Sequence, residues 1–417
     1  MNKEEKLTVS SAEQTVGVLQ YAEDLELTEV RIPEGVEVIG AKAFSRCMQL
    51  RVLYLPSTLT HIDMKAFELC PLEDLYYAGT ARQWAEVEIS PQGSDPITMA
   101  RKHFLHGDSV IERLVPEEDH KREILHKIRT LMEKGGDGRL HVVAPDLCVD
   151  GVLTKPGDLT LLIFPQGSTM MIDTGYFKNF SKVKEFLEGT GLSTLDYLVF
   201  SHADGDHVSN AISIATNLIE QKGGAIRHLW WTGQAYGKLV SGAEEYLRAH
   251  GTQIDLRVRA GRRFYIDGVQ VEILGPTEEE LKLDAADGEI RNSQSMIMKF
   301  VHGTAVYLTS GDLYAGQEAV VVGRCGRSLH ANICKTNHHG CFTSNTDDWL
   351  DAVGAKIAFS CSNDNGSTAL AREMKSRGTD YYSTGCHGTI LISANAMGEC
   401  EVTTQYDWGL RCLQRVN

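Results

Sequence analysis

An internal repeat of 23 residues near the start of the chain constrains the fold more than any other feature. The segment "LTEVRIPEGVEVIGAKAFSRCMQ" (27–49) aligns with "LRVLYLPSTLTHIDMKAFELCP" (50–71), and a third copy begins at Leu72 and breaks off. Units of this length bury their apolar sides only against neighbouring units, so the repeat predicts a short solenoid. The matching pairs are Leu27 and Leu50, Pro33 and Pro56, Ile39 and Ile62, Phe44 and Phe67, and Cys47 and Cys70.

The repeat pattern "IP..V..IG..AF..C..L", followed by "YYAGT..QW", resembles the BspA-type leucine-rich repeats over about residues 20–95. The resemblance implies a surface for partner binding or self-association, because solenoids present extended faces. The alternative is a small structural cap that docks on the next domain. No residue in this part of the chain suggests catalysis.

A chain of 417 residues exceeds the usual size of one core, and its composition changes along the sequence. In "VPEEDHKREILHKIRTLMEKGGDG" (115–138), Ile124, Ile128 and Leu131 share one helical stripe, so we predict a connecting helix that ends at the glycines. The predicted domains are a leucine-rich-repeat domain over 1–110, a helical linker over 111–138 and a further domain over 139–417.

From Leu140 onward, apolar runs typical of strands alternate with stretches typical of helices. The strand-like runs include "TMMIDTG", "LDYLVFSH", "VQVEILGP" and "AVYLTSGD", and "KNFSKVKEFLEGTG" has a helical pattern. This alternation predicts an α/β layered domain.

Four side chains that could bind a metal occupy six consecutive positions, "HADGDH", directly after the apolar run "LDYLVF". The run predicts a buried strand, and ligands of α/β sheets usually bind beyond the carboxyl ends of strands. Imidazole nitrogens and carboxylate oxygens suit zinc and manganese. His202 and Asp204 alternate on the backbone and could share one metal, while a turn could direct Asp206 and His207 onto a second. The alternative is an acidic surface turn with incidental histidines.

The motif "HADGDH" resembles the H-x-[HD]-x-D-H signature of the metallo-β-lactamase superfamily, in the H-x-D-x-D-H form of ComEC-like hydrolase domains. Further motifs follow in the order that the family shows, and the resemblance covers about residues 139–395. They are "MMIDTG", "RNSQSMIMKF", "LTSGDL", "ICKTNHHG", "SCSNDNGS" and "STGCHGTILI". The resemblance implies an αβ/βα sandwich preceded by the leucine-rich-repeat solenoid.

The resemblance also implies two divalent metal ions, zinc or manganese, and assigns roles to individual residues. Asp173 would support the site from a second shell, and between the adjacent histidines the family's motif favours His338 as the ligand. The implied metal ligands are His202, Asp204, Asp206, His207, Asp312 and one of His338 and His339. The implied substrate-positioning residues are Asn292, Ser295, Ser344 and Asn363, and the implied catalytic residues are Asp206, Lys335 and His387.

The sequence departs from the family in three places. No further histidine ligand is evident between the first motif and Asp312, so water or another group would complete the metal shell. Cys341 stands where the family has serine, and Ser367 and Thr368 stand where it has histidine and proline. The change to Ser367 and Thr368 bears on substrate positioning, not on metal binding.

These features predict a metal-dependent hydrolase in which two metals activate the attacking water. The resemblance to ComEC-like domains implies a phosphodiesterase or nuclease, with a nucleotide derivative or DNA as substrate. A net charge of −15 argues against a broad face for nucleic acid, and "LRVRAGRRF" (256–264) is the one candidate basic strip. The alternatives are a hydrolase of a lactone, β-lactam or thioester, and a repeat-based interaction protein with a silent hydrolase module.

The start of the chain, "MNKEEKLTVS", lacks the apolar core of a secretory signal, and no apolar run is long enough to span a membrane. The ten cysteines form no C-x-x-C pair, which favours reduced thiols over a disulfide framework. We therefore expect a cytoplasmic protein without a membrane partner.

Overall fold

The computed structural model describes residues 5–8, 15–90, 96–97, 100–104, 117–148, 156–235, 238–362 and 368–406. The chain divides into two compact units, and the second unit runs from Glu117 to Tyr406. The limits 1–110, 111–138 and 139–417 stay predictions.

The first unit contains a parallel five-stranded sheet, β1-β3-β5-β7-β9, and a second sheet, β2-β4-β6-β8. The ladder therefore extends beyond the two and a half repeats that the sequence shows. The elements are β1 (Glu5–Thr8), β2 (Thr15–Val16), β3 (Leu27–Arg31), β4 (Val38–Ile39), β5 (Val52–Leu55), β6 (His61–Ile62), β7 (Asp74–Tyr77), α1 (Ala81–Glu86), β8 (Glu88–Ile89) and β9 (Arg101–Phe104).

Repeated residues stack on one another inside this unit, as expected of a solenoid. The rings of Phe44 and Phe67 stack with centroids 5.2 Å apart. The thiol of Cys70 donates to the Phe44 carbonyl at 2.9 Å, and the thiol of Cys47 donates to the Tyr21 carbonyl at 3.1 Å. The same contacts thus recur from one turn of the solenoid to the next.

The second unit contains an eight-stranded sheet, β15-β14-β13-β12-β11-β10-β23-β24, and a seven-stranded sheet that runs in order from β16 to β22. Its strands are β10 (Leu140–Ala144), β11 (Thr160–Ile163), β12 (Thr169–Ile172), β13 (Thr194–Val199), β14 (Ala225–Trp230), β15 (Gln253–Asp255), β16 (Arg263–Ile266), β17 (Val269–Gly275), β18 (Ile297–His302), β19 (Ala305–Thr309), β20 (Ile333–Lys335), β21 (Ile357–Ser360), β22 (Asp380–Ser383), β23 (Ile390–Ala394) and β24 (Cys400–Thr404).

Helices pack on the outer faces of these two sheets. The helices are α2 (Glu117–Glu133), α3 (Phe180–Thr190), α4 (Gly205–Val208), α5 (Ala211–Ala215), α6 (Lys238–Ala249), α7 (Gly288–Ser293), α8 (Ala315–Cys325), α9 (Asp347–Val353), α10 (Thr368–Ser376) and α11 (Thr384–His387). Apolar side chains of both sheets, such as Val142, Val271 and Ile392, form one central core. Apolar side chains of α2 to α6 pack against the eight-stranded sheet and form a second core with it. Apolar side chains of α8 to α10 pack against the seven-stranded sheet and form a third. The predicted αβ/βα sandwich is confirmed.

The helix predicted before this sandwich is present as α2, and it packs against α3. Ile124 and Ile128 of its stripe are buried in the core of the second unit, and Leu131 packs against that core. Gly136 follows with φ +95°, and a Cβ there would lie 2.3 Å from the Pro165 carbonyl oxygen, so only glycine fits this turn.

The cysteines and helices bear on two further expectations. The nine cysteines among the described residues are free thiols, as the spacing predicts. In the described part of the chain, no helix is both long and apolar enough to cross a membrane.

Candidate metal centre

The "HADGDH" motif lies where β13 ends, and the short helix α4 begins within it. β13 pairs in parallel with β12 on one side and β14 on the other, so the carboxyl ends of all three strands lie at one sheet edge. The predicted position of the motif beyond the end of a buried strand is confirmed.

Four side chains from three separate loops converge at this edge, and we name Asp206, His207, Asp312 and His339 the metal group. Asp312 Oδ2 lies 3.2 Å from His207 Nε2 and 3.2 Å from His339 Nε2. Asp206 Oδ2 lies 3.3 Å from His339 Nε2. Ligand atoms about 2.1 Å from a tetrahedral zinc are about 3.4 Å apart, so the spacing suits one ion.

Unsatisfied polar atoms support this fit. His202 Nε2 and Asp312 Oδ1 are buried and have no hydrogen-bond partner among the described residues. Leaving such atoms unpaired costs free energy, and a coordinated cation would satisfy them. The donor set of nitrogen and oxygen atoms fits zinc or manganese.

His338 and His339 follow each other in a tight turn with φ of 47° and 56°, and the two rings point to different surroundings. His339 Nε2 belongs to the metal group, and its Nδ1 lies 2.9 Å from the Cys361 carbonyl oxygen. His338 Nε2 lies 3.8 Å from Asp312 Oδ2, and its Nδ1 lies 2.5 Å from Thr343 Oγ1. The family's motif favours His338, but this geometry favours His339 as the ligand.

The first half of the motif is arranged differently. His202 is fully buried with its ring centroid 4.0 Å from that of His207. Its Nε2 lies 3.9 Å from Asp204 Oδ2, while the other Asp204 oxygen contacts the guanidinium of Arg291. His202 therefore lies beside the metal group, whereas Asp204 forms an ion pair with Arg291.

Asp173 supports both histidines of the motif. Its Oδ2 lies 2.8 Å from His207 Nδ1 and accepts a 2.6 Å hydrogen bond from Ser201 Oγ. Ser201 Oγ in turn lies 3.0 Å from His202 Nδ1. This is the supporting position that the resemblance implies, since a carboxylate on the far ring nitrogen fixes the tautomer that binds metal.

We predict that Asp173→Asn lowers divalent-metal affinity about 10- to 100-fold, because the His207 ring loses its orienting carboxylate. Isothermal titration with zinc or manganese measures the effect. Asp196→Asn is the matched control. Asp196 is an aspartate on β13, the strand that leads into the motif, and it accepts a hydrogen bond from the Thr169 backbone amide. Equal affinity losses in the two variants would contradict the assigned role.

Asp158 is a buried residue that the sequence analysis missed. Its Oδ1 lies 3.1 Å from His339 Nδ1, and its Oδ2 forms an ion pair with Lys335 Nζ. Burial alone would raise the pKa of Asp158, but Lys335 and His339 lower it. Gly157 before it has φ +77°, and a Cβ there would lie 2.4 Å from the Asp206 carbonyl oxygen. A lone aspartate ahead of a strand gives no sequence signal for this role.

Lys335, an implied catalytic residue, is buried and is linked to the metal group through Asp158, which contacts His339. Its ammonium also contacts the carbonyl oxygens of Gly311 at 3.4 Å and Thr336 at 3.2 Å. Burial alone would lower the pKa of Lys335, but Asp158 and Asp312 raise it. A buried ammonium with a raised pKa favours electrostatic support over proton donation.

Glu318 is a second residue that the sequence analysis missed. Its side chain is buried, and it accepts hydrogen bonds from Asn337 Nδ2 at 2.6 Å and from the Asn345 amide at 2.6 Å. It also accepts from the amide and hydroxyl of Thr346, both at 2.8 Å. Glu318 thus holds both ends of the loop that carries His339.

Of the remaining residues with implied roles, Ser295 contacts a member of the metal group. Ser295 Oγ accepts a 3.1 Å hydrogen bond from the Asp312 amide and so positions the backbone of that aspartate. Asn292 is buried in α7, Ser344 Oγ lies 3.5 Å from Thr343 Oγ1, and His387 is buried in α11 with Nδ1 3.1 Å from the Ser383 carbonyl oxygen. Asn363 lies outside the described residues.

The charges of the metal group favour a cation. Burial and the neighbouring His207 lower the pKa of His202 to about 3, so its imidazole is neutral, which is the form that binds metal. Burial alone would lower the pKa of His207, but Asp312 and Asp173 raise it well above its usual value. The carboxylates therefore attract positive charge, which a proton or a divalent ion can supply.

Two family models match the chain. Residues 14–85 match the "BspA type Leucine rich repeat region (6 copies)", and residues 157–313 match the "Metallo-beta-lactamase superfamily". The first of these covers most of the segment over which the sequence shows the repeat.

The chain spans only about a quarter or less of the length of the curated relatives that it matches. The chain is 29% identical over 201 residues to Competence protein ComA of Neisseria gonorrhoeae, which is 48% of this chain and 24% of that protein. It is 25% identical over 173 residues to ComE operon protein 3 of Bacillus subtilis (strain 168), which is 42% of this chain and 20% of that protein. The metallo-beta-lactamase fold protein YhfI from Bacillus subtilis is similar in structure, with TM-score 0.39, 11% identity and coverage of 64% of this chain and 100% of that one.

Proposed function

We propose that the chain is a metal-dependent hydrolase of phosphodiester bonds, since residues 157–313 match the metallo-β-lactamase superfamily model. The convergence of Asp206, His207, Asp312 and His339 at ligand spacing is the observation that carries the proposal. A divalent cation held there would supply a nucleophile from water at neutral pH and would stabilise the negative charge on the phosphoryl oxygens. Zinc and manganese both suit the site.

Asp206 is the member of the metal group that faces solvent. Its side chain is 20% exposed, whereas the side chains of His207, Asp312 and His339 are at most 2% exposed. Water and substrate therefore reach the group from the side of Asp206. Burial alone would raise the pKa of Asp206, but contact with His339 lowers it, so the carboxylate stays ionised, which is the form that binds a divalent ion.

The basic strip favours a small phosphodiester, such as a nucleotide derivative, over long DNA. Three of the four arginines of the strip are paired with acids, so the strip offers little net positive charge to a nucleic-acid backbone. The pairs are Arg259 with Glu278, Arg262 with Asp255, and Arg263 with Glu272.

The repeats support partner binding or self-association as a second function. Arg31, Tyr54, Tyr76 and His103 form one stacked row across the parallel sheet of the first unit. The Arg31 guanidinium lies 3.7 Å from the Tyr54 ring centroid, and the two following centroid distances are 4.6 and 4.3 Å. A rigid aromatic row is typical of a contact surface.

A cytoplasmic location stays a prediction from cysteine usage.

A substrate panel tests the proposed reaction. Chelator-treated protein should regain activity on bis(p-nitrophenyl) phosphate and on a dinucleotide when zinc or manganese is restored, and Asp206→Asn should lose it. Lactone, β-lactam and thioester substrates run beside them. Turnover of only a carboxylic ester or amide would contradict the phosphodiester proposal, and no turnover of any substrate would favour the silent-module alternative.

A further inference from the structure

Arg291 reaches the metal-binding motif from α7, a region of sequence far from it. Its Nε donates to Asp204 Oδ1, and its Nη1 donates to the Ala285 carbonyl oxygen at 3.0 Å. The side chain is only 15% exposed, so this ion pair belongs to the wall of the site. Arg291 is not among the residues that the sequence analysis singles out.

The surroundings of Arg291 hold it in place. Gln234 Nε2 donates to the Arg291 carbonyl oxygen at 2.9 Å, while Gln234 Oε1 accepts from the Ala203 amide at 3.1 Å. One glutamine thus joins the helix that carries Arg291 to the loop that carries His202 and Asp204. Asp287 caps that helix by accepting from the Glu289 amide at 2.8 Å. The ion pair is therefore built into the fold from both sides.

We propose that the guanidinium of Arg291 takes the place of a second metal ion, so that the site binds a single divalent cation in the metal group. The second ion that the motif predicts would be held by His202 and Asp204 together, but Asp204 already bonds to the guanidinium of Arg291. The guanidinium would also repel a second dication, since like charges a few ångströms apart interact strongly in a half-buried site. This inference rests on the proposed function and replaces the two-ion site that the family resemblance implies.

The same single ion is expected with zinc and with manganese, because both are dications and Asp204 is bonded to Arg291 in either case.

Metal stoichiometry tests the inference without measuring activity. Full-length protein is dialysed against zinc or manganese, and bound metal per chain is measured by elemental mass spectrometry. We expect one ion in the wild type, one in Arg291→Lys, two in Arg291→Met, and one in the double variant Arg291→Met/Asp204→Asn. Asp204→Asn alone should still bind one ion, with circular dichroism confirming that each variant is folded.

Two ions in the wild type, or one ion lost in Asp204→Asn, would overturn the inference and leave the proposed hydrolase standing. A single ion in folded Arg291→Met would likewise overturn it. If Arg291→Met fails to fold, the wild-type and Asp204→Asn counts decide. No bound metal in the wild type would overturn the proposed function and the inference together.

Discussion

His339→Ala is expected to weaken divalent-metal binding by more than about 100-fold, whereas His338→Ala leaves it within a few-fold of wild type. Losing a residue that only orients a ligand costs up to about 100-fold, so losing the ligand itself should cost more. His339 Nε2 lies 3.2 Å from Asp312 Oδ2 and 3.3 Å from Asp206 Oδ2, within the metal group. Isothermal titration with zinc or manganese compares the two variants.

The two histidines make an unusually well-matched pair for this test. They are adjacent, both are buried, and both have positive φ, so either substitution perturbs the same turn. A structural effect of the turn would therefore appear in both variants. Larger loss of affinity in His338→Ala than in His339→Ala would show that the family's preference for the first histidine is right and the geometric assignment is wrong.

Lys335→Met is expected to destabilise the metal-free second unit by about 3–5 kcal/mol, because it leaves the buried carboxylate of Asp158 without its cation. Both side chains are nearly inaccessible to solvent, and their ion pair joins β20 to the loop before β11. Denaturation by urea in the presence of a chelator, followed by tryptophan fluorescence, measures the change in the free energy of unfolding.

The double variant Lys335→Met/Asp158→Asn is the control for this prediction. Removing both charges avoids the isolated buried carboxylate, so the double variant should be more stable than Lys335→Met alone. If the two variants are equally unstable, the loss comes from packing around the lysine and not from the ion pair.

The fold could be predicted from sequence because its signals are local. The repeat places Phe44 and Phe67 at equivalent positions, and their rings stack in the structure. Strand-like runs and the helical stripe at Ile124 and Ile128 reflect burial on one side of each element, which periodicity records directly. These patterns need no knowledge of distant contacts.

The site could be predicted only where its residues lie in a motif. Asp206, His207 and Asp312 stand at strand ends with recognisable neighbours, and the structure brings them together. The choice between His338 and His339 depends on two backbone torsions that sequence does not encode in any simple pattern. Sequence reasoning could name the pair but could not orient their rings.

Residues that act through long-range contacts left no signal. Asp158 meets Lys335 and His339 across the fold, and Arg291 meets Asp204 from 87 positions away. Neither residue is distinguished by spacing from an ordinary surface charge. Partners of this kind become visible only once the loops are assembled.

Anomalous diffraction from crystals grown with zinc or manganese tests the central claim most directly. Data collected at the absorption edge of the metal should show one peak bounded by Asp206, His207, Asp312 and His339, within about 2.0–2.3 Å of their ligand atoms. A peak held by other residues, or no peak at the metal group in crystals soaked with excess metal, would contradict the account.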